Sequence, residues 1–240
     1  MTMPGLKHCA ALLMLCAAGA RADENCEPAA ERTVVNADRS TLSVTTTCAT
    51  PGMRTYTLRA VLADGQRDQM ALHAESETSP FGGAQLIDID GDGNHEVEVR
   101  GSCGAGPNCE GALYRIDPAA GKLRQWFSGG YAQLSVLDGH LLEAGRASCC
   151  SWEYHAYRLR DEGVHGYDNM DLMIEVGMDP SDEGENAPAR CVFSRPQGDN
   201  PGIVMPPNPQ WLALCELYGD YRLVTPEQAR AAQRPDGAQE

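Results

Sequence analysis

Along most of the chain, apolar positions come in short runs separated by turn residues, and the period within those runs is closer to two than to 3.6. Thr41-Leu-Ser-Val-Thr-Thr-Thr47 and Thr55-Tyr-Thr-Leu-Arg-Ala-Val-Leu62 are rich in β-branched residues and partly alternate, which predicts strands. Asp64-Gly65 marks a turn before a further strand over Gln69 to Ala74. Strands are also expected over Ala84 to Ile89, Glu96 to Arg100 and Ala112 to Ile116. Leu134 to Leu137 and Leu141 to Glu143 flank Asp138-Gly139 as a tight hairpin, and Glu153 to Leu159 and Asp171 to Val176 complete the series. Gly177 to Pro209 is filled with Pro, Asn, Asp and Gly and reads as an extended, partly exposed loop. The one helix expected runs from Pro226 to about Gln233, with proline at its start and an alanine-rich body; the residues from Arg234 onward form a frayed tail. The fold class is mainly β: a compact antiparallel sandwich or an incomplete propeller-like assembly of sheets, with a short C-terminal helix.

The N-terminus follows a different pattern. Met1 to His8 carries Lys7 and no acid, Cys9 to Ala20 is apolar, and Ala20-Arg21-Ala22 offers the small-x-small pattern of a signal peptidase site. The apolar run is shorter than the ~20 residues of a membrane span. Residues 1–22 are therefore expected to be a signal peptide cleaved after Ala22, placing a mature chain from Asp23 in the periplasm or outside the cell. Lipidation at Cys16 is disfavoured because the bulky Leu15 precedes it. Residues 23–225 are expected to form one β-rich domain, and 226–240 the helix and tail.

Charge and cysteine content narrow the class. The chain carries 34 acidic and 19 basic side chains, a formal charge of −15, which argues against a nucleic-acid binder. Removal of Lys7 and Arg21 with the signal peptide deepens this to −17. Cleavage also leaves an even set of cysteines, Cys26, Cys48, Cys103, Cys109, Cys149, Cys150, Cys191 and Cys215, as expected of disulfide staples in an oxidising compartment. Cys103 with Cys109 is the simplest local bridge, and Cys26 with Cys48 would clamp the N-terminal strand. Cys149 and Cys150 then pair with Cys191 and Cys215, or bridge each other.

One motif is specific. In Asp88-Ile-Asp90-Gly-Asp92-Gly93-Asn94-His95-Glu96, acids stand at loop positions one, three, five and nine, and glycine stands at six. Alternate residues of such a curled loop point inward, so Asp88, Asp90, Asp92, the Asn94 carbonyl and Glu96 are candidate oxygen ligands for Ca²⁺, the one cofactor expected. Position twelve is Val99 rather than glutamate and the flanks read as strands, so this is a Ca²⁺ loop between strands and not an EF-hand. The competing reading is a solvated acidic turn. Zinc on His95, Cys103 and Cys109 is disfavoured because exported cysteines oxidise. No Gly-x-Ser-x-Gly elbow, His-Glu-x-x-His motif or phosphate-binding glycine loop occurs, and the acids of Asp179 to Glu185 read as a solvated face. A non-enzymatic binding protein is expected.

Phe81-Gly-Gly-Ala84 before the aspartate loop makes the segment resemble a single FG-GAP or VCBS-type calcium repeat. A full propeller of such repeats is not expected, because a blade takes about 40 to 50 residues and no second aspartate loop exists. The order continues with Cys103-Gly-Ala-Gly-Pro-Asn-Cys109, Tyr114-Arg-Ile-Asp-Pro-Ala-Ala-Gly-Lys-Leu123 and Cys149-Cys150-Ser-Trp-Glu-Tyr154. Over about Phe81 to Leu159 it is similar to exported bacterial proteins with a lone FG-GAP-like loop. One branch of them comprises periplasmic immunity proteins that block peptidoglycan-cleaving effectors and are similar to lysozyme inhibitors. The resemblance implies a protein partner, a peptidoglycan hydrolase or lysozyme. It also gives meaning to Ser128-Gly129-Gly130-Tyr131, which matches the Ser-Gly-x-Tyr signature of those inhibitors. Such a loop enters a hydrolase cleft, where a serine hydroxyl and glycine N–H groups can donate hydrogen bonds to catalytic carboxylates and the tyrosine can stack like a sugar ring. The plain alternative is a glycine turn following core residues Trp126 and Phe127. The other functional class is a Ca²⁺-dependent surface or adhesion module without inhibitory activity; a purely structural envelope protein is a third.

Overall fold

The computed structural model describes residues 29–50, 53–75, 83–104, 106–160, 169–178, 187–196 and 202–232. The signal segment, Cys26, Phe81, the acidic stretch 179–185 and the tail lie outside the described residues.

Short alternating runs joined by tight turns favour pairing between sequence neighbours, and the strands form three antiparallel sheets in chain order. The first sheet is a meander of β1 (Ala29–Val35), β2 (Thr41–Thr50), β3 (Met53–Val61) and β4 (Arg67–Glu75). The second is a meander of β5 (Gly83–Ile87), β6 (Glu96–Cys103), β7 (Cys109–Asp117) and β8 (Lys122–Tyr131). The third runs in sequence through β9 (Gln133–Leu137), β10 (His140–Arg146), β11 (Ser151–Arg158), β12 (Met170–Gly177), β13 (Ala189–Arg195) and β14 (Gly202–Val204). The last strand, β15 (Tyr221–Leu223), pairs parallel to β13, and α1 spans Pro226–Ala232.

The turns have the chemistry read from the sequence. Asp138 and Gly139 have φ of 50° and 71°, the positive pair demanded by a two-residue hairpin, and Leu137 faces His140 across it. Gly65, with φ of 87°, closes the β3–β4 turn by donating to the Leu62 carbonyl.

Two apolar layers join the sheets. Leu42, Val44, Tyr56, Leu58 and Ala60 of the first sheet meet Val97, Val99 and Leu123 of the second. On its other face, the second sheet sends Leu113, Trp126, Phe127 and Tyr131 against Leu141 and Tyr157 of the third. Trp126 and Phe127 are adjacent yet both buried. Gln125 pairs with Tyr114 and Phe127 with Leu113, so Trp126 is the extra residue of a β-bulge, and the strand turns both rings inward.

The fold is thus mainly β with a short C-terminal helix, as expected. Two expectations about its parts are corrected. The segment expected to be loop contains β13, where Ala189, Cys191 and Phe193 alternate into a further apolar core with Leu142, Ile174 and Val176 of the third sheet. Beyond it a run of 3-10 turns, Pro209–Tyr218, lays Trp211 and Cys215 on the same core. The anchor there is the Cys191–Cys215 disulfide, which decides between the open alternatives: neither of these cysteines bonds to Cys149 or Cys150. The other correction is that Ser128 to Tyr131 is the end of β8 and not a turn.

Candidate functional site

The aspartate loop links β5 to β6, and Ile87 pairs with Glu96 at its base. Gly91 and Gly93 adopt φ of 74° and 85°, which lets the chain curl tightly enough to turn successive carboxylates to one side. The ligand oxygens of Asp88, Asp90 and Asp92 lie within 4.8 Å of one another. Backbone N–H groups hold them there: Gly93 donates to Asp88 Oδ2 at 3.1 Å, Asp92 to Asp90 Oδ1 at 3.3 Å and Asn94 to Asp92 Oδ1 at 2.6 Å.

Glu96 comes from the strand rather than the loop and is only 2% exposed. Its Oε2 accepts from the Ile89 N–H at 3.3 Å. Burial, aided by the charges of Asp90 and Asp92, pushes its pKa up to about 8, and the nearby Arg115 only partly offsets this. Burial likewise raises Asp90. Asp88, Asp90 and Asp92 are the oxygen donors that could hold a hard divalent cation, with the buried Glu96 carboxylate near Asp90 and Asp92.

A brace from the first sheet fixes the loop, and the sequence reading missed it. Buried Asn36, in the turn between β1 and β2, accepts from the His95 N–H through Oδ1 at 3.0 Å. Ala37 N–H donates to the Gly93 carbonyl at 2.9 Å, and Asp38 N–H to Asn94 Oδ1 at 3.3 Å. The Asn94 side chain thus bridges brace and loop, its Oδ1 accepting from Asp38 and its Nδ2 donating to Asp92 Oδ2 at 3.2 Å. His95 Nδ1 also faces Asn36, and Cys103 is bonded to Cys109, so the zinc alternative has no ligand set here.

Ser128, Gly129, Gly130 and Tyr131 pair with Ala112, Gly111, Glu110 and Cys109 of β7. Alternation splits them between faces. Tyr131 is fully buried, under Arg100 at 5.1 Å from the ring centre, and burial with the neighbouring Glu98 charge raises its hydroxyl pKa. It does not project toward a partner, which corrects the expected stacking role. Gly129 faces the same side, where an added Cβ would collide with Glu143 and Phe127. Glu143 Oε1 accepts the Gly130 N–H at 2.8 Å, so the N–H expected to reach a foreign carboxylate already binds one of the protein's own. Glu143 is 5% exposed. Burial pulls its pKa up, but His155 and the Tyr157 hydroxyl, 3.2 and 2.7 Å from Oε2, bring it below the ordinary carboxylate range.

On the other face, Ser128 and Gly130 line an open groove of about 600 Å³ with Leu72 and His73 of β4 and Glu110 and Ala112 of β7. Ser128 is exposed there. The motif thus combines two functions that sequence alone could not separate: a structural half under the sheet and an accessible half above it.

No family model matches the chain, and no curated protein matches it either. Among solved structures it is similar to a Xanthomonas type IV secretion system related protein, at 17% identity and a TM-score of 0.46, over 78% of this chain and 97% of that one. A likeness of that degree assigns neither family nor function. The disulfides Cys103–Cys109 and Cys191–Cys215 are consistent with an exported protein, and no helix among the described residues is long and apolar enough to cross a membrane.

Proposed function

We propose that this is an exported Ca²⁺-binding protein that binds and inhibits a peptidoglycan hydrolase, as an immunity or inhibitor protein. The observation carrying the proposal is the aspartate loop: three carboxylates converge within 4.8 Å, a fourth is buried beside them, and a separate sheet braces the whole. Ca²⁺ there rigidifies the junction between the first and second sheets, and the groove lies between β4 of the one and β7–β8 of the other. Ordering the junction before a partner arrives lowers the entropy cost of association. The ion has a positioning role and no part in bond chemistry.

The groove presents Ser128 as a neutral donor beside Glu110 and His73, with Leu72 and Ala112 as apolar floor. A neutral donor suits a cleft built on paired carboxylates. The formal charge of −15 favours encounter with a basic enzyme, the type expected to work on an anionic wall.

Two measurements test the reading. Calorimetry should show Ca²⁺ binding by the wild type and its loss in Asp90→Ala; no binding by either removes the metal assignment. Titration into a panel of lysozymes and peptidoglycan hydrolases should show inhibition that Ser128→Ala weakens about ten- to a hundredfold, the worth of one hydrogen bond to a charged group. If no hydrolase is inhibited and envelope extracts yield surface or glycan ligands instead, the adhesion-type reading replaces this one.

A further inference from the structure

The turn between β10 and β11 holds the described cysteines that carry no disulfide, Cys149 and Cys150. Both are exposed, and their Sγ atoms lie 2.6 Å apart. Cys103–Cys109 and Cys191–Cys215 are bonded pairs, and Cys48 is disulfide-bonded as well, so each of the two thiols has the other as its nearest partner.

The turn is strapped from several sides. Ala147 and Ser148 N–H both donate to the Ser151 carbonyl, at 3.0 and 3.3 Å, and Cys150 N–H donates to Ser148 Oγ at 3.1 Å. The Arg146 guanidinium donates to the Ser148 and Cys149 carbonyls at 2.9 and 2.7 Å. Met178 N–H, at the end of β12, donates to the Cys150 carbonyl at 3.0 Å. Asn108 grips Arg146 itself, accepting from its N–H at 2.8 Å and donating to its carbonyl at 3.0 Å. Two adjacent thiols held in contact by such straps lose little freedom on joining.

We infer that Cys149 and Cys150 form a reversible vicinal dithiol–disulfide couple on the surface, open to exchange with external disulfides. In the oxidation step one sulfur attacks a disulfide R–S–S–R and expels one thiolate, leaving a mixed disulfide. The second sulfur attacks the first and expels the other thiolate. One S–S bond forms between Cys149 and Cys150, one breaks in the oxidant, and the two protons leave with the two released thiols. Both thiols are exposed, so either sulfur can make the entering attack. The Cys149 carbonyl is tied through Arg146 to Asn108, the residue just before β7. None of this rests on the proposed hydrolase partner or on Ca²⁺.

The test is mass spectrometry of the full exported chain after incubation with glutathione disulfide. The peptide holding Cys149 and Cys150 should be lighter by two hydrogen atoms than its dithiol form. It should refuse alkylation until a mild reductant is added, and then take up the reagent at both positions. Cys149→Ser and Cys150→Ser, each with one remaining thiol, should instead carry glutathione, and the double variant should carry none. A glutathione adduct on the wild-type peptide, or full alkylation before reduction, overturns the proposal. Near-UV circular dichroism of the variants separates either result from a failure to fold.

Discussion

Glu96 shows how one buried side chain sets a pH dependence. Its folded pKa is raised to about 8 from an ordinary value of 4.5, so the metal-free fold binds a proton that the unfolded chain releases. The stability this contributes is complete below pH 4.5 and is lost as pH rises through about 8. If Ca²⁺ binds the loop as proposed, it takes the proton's place. Chelated protein should therefore lose thermal stability across that window while Ca²⁺-loaded protein does not; parallel melting curves at pH 5 and pH 8 would contradict the assignment of Glu96 to the site. Glu143 has the opposite sign. Its pKa is lowered, so the stability it lends is present above the ordinary carboxylate range and falls as acid protonates it. Gly129 gives a sharper residue-level test. Gly129→Ala must displace Glu143 and Phe127, and should cost about 1–3 kcal/mol by denaturant titration, whereas Gly130→Ala, which faces open space, should cost far less.

At the scale of elements, what was legible in the sequence was what local chemistry dictates. The Asp138-Gly139 and Asp64-Gly65 turns, the strands around them and the aspartate loop follow from neighbours in the chain. The missed parts depend on distant contacts. β8 hides behind its bulge, because Trp126 and Phe127 break the alternation that a strand should display. β13 does alternate, with Ala189, Cys191 and Phe193 buried, but its flanks are so rich in turn residues that the short pattern was submerged. The Asn36 brace and the Glu143 bond to Gly130 join residues 59 and 13 positions apart, which no spacing rule reaches. The 3-10 segment is a similar case: its ten residues include only two that are buried, and it depends on the Cys191–Cys215 bond and on Asp138, which accepts from Trp211 Nε1 at 3.1 Å. Replacing both cysteines by alanine should cost about 2–4 kcal/mol in denaturant titration and expose Trp211 to fluorescence quenchers.

At the scale of the whole molecule, apolar cores lie between the first and second sheets, between the second and third, and under the 3-10 segment on the third, and the chain carries a large negative formal charge. If the partner is basic, association should slow steeply with added salt while dissociation changes little, a split measurable by stopped flow. The stacking in chain order has a separate meaning for how the molecule comes into being. Almost every strand pairs with the one before it in sequence, so the search each strand makes for its partner is short. The first and second sheets can close on each other before the third is available. A late step among the described strands is β15, whose parallel pairing to β13 waits until the intervening β14 and 3-10 segment have formed. A polypeptide emerging from its N-terminus onward can thus settle one layer at a time, each new strand finding its partner in the strand just completed.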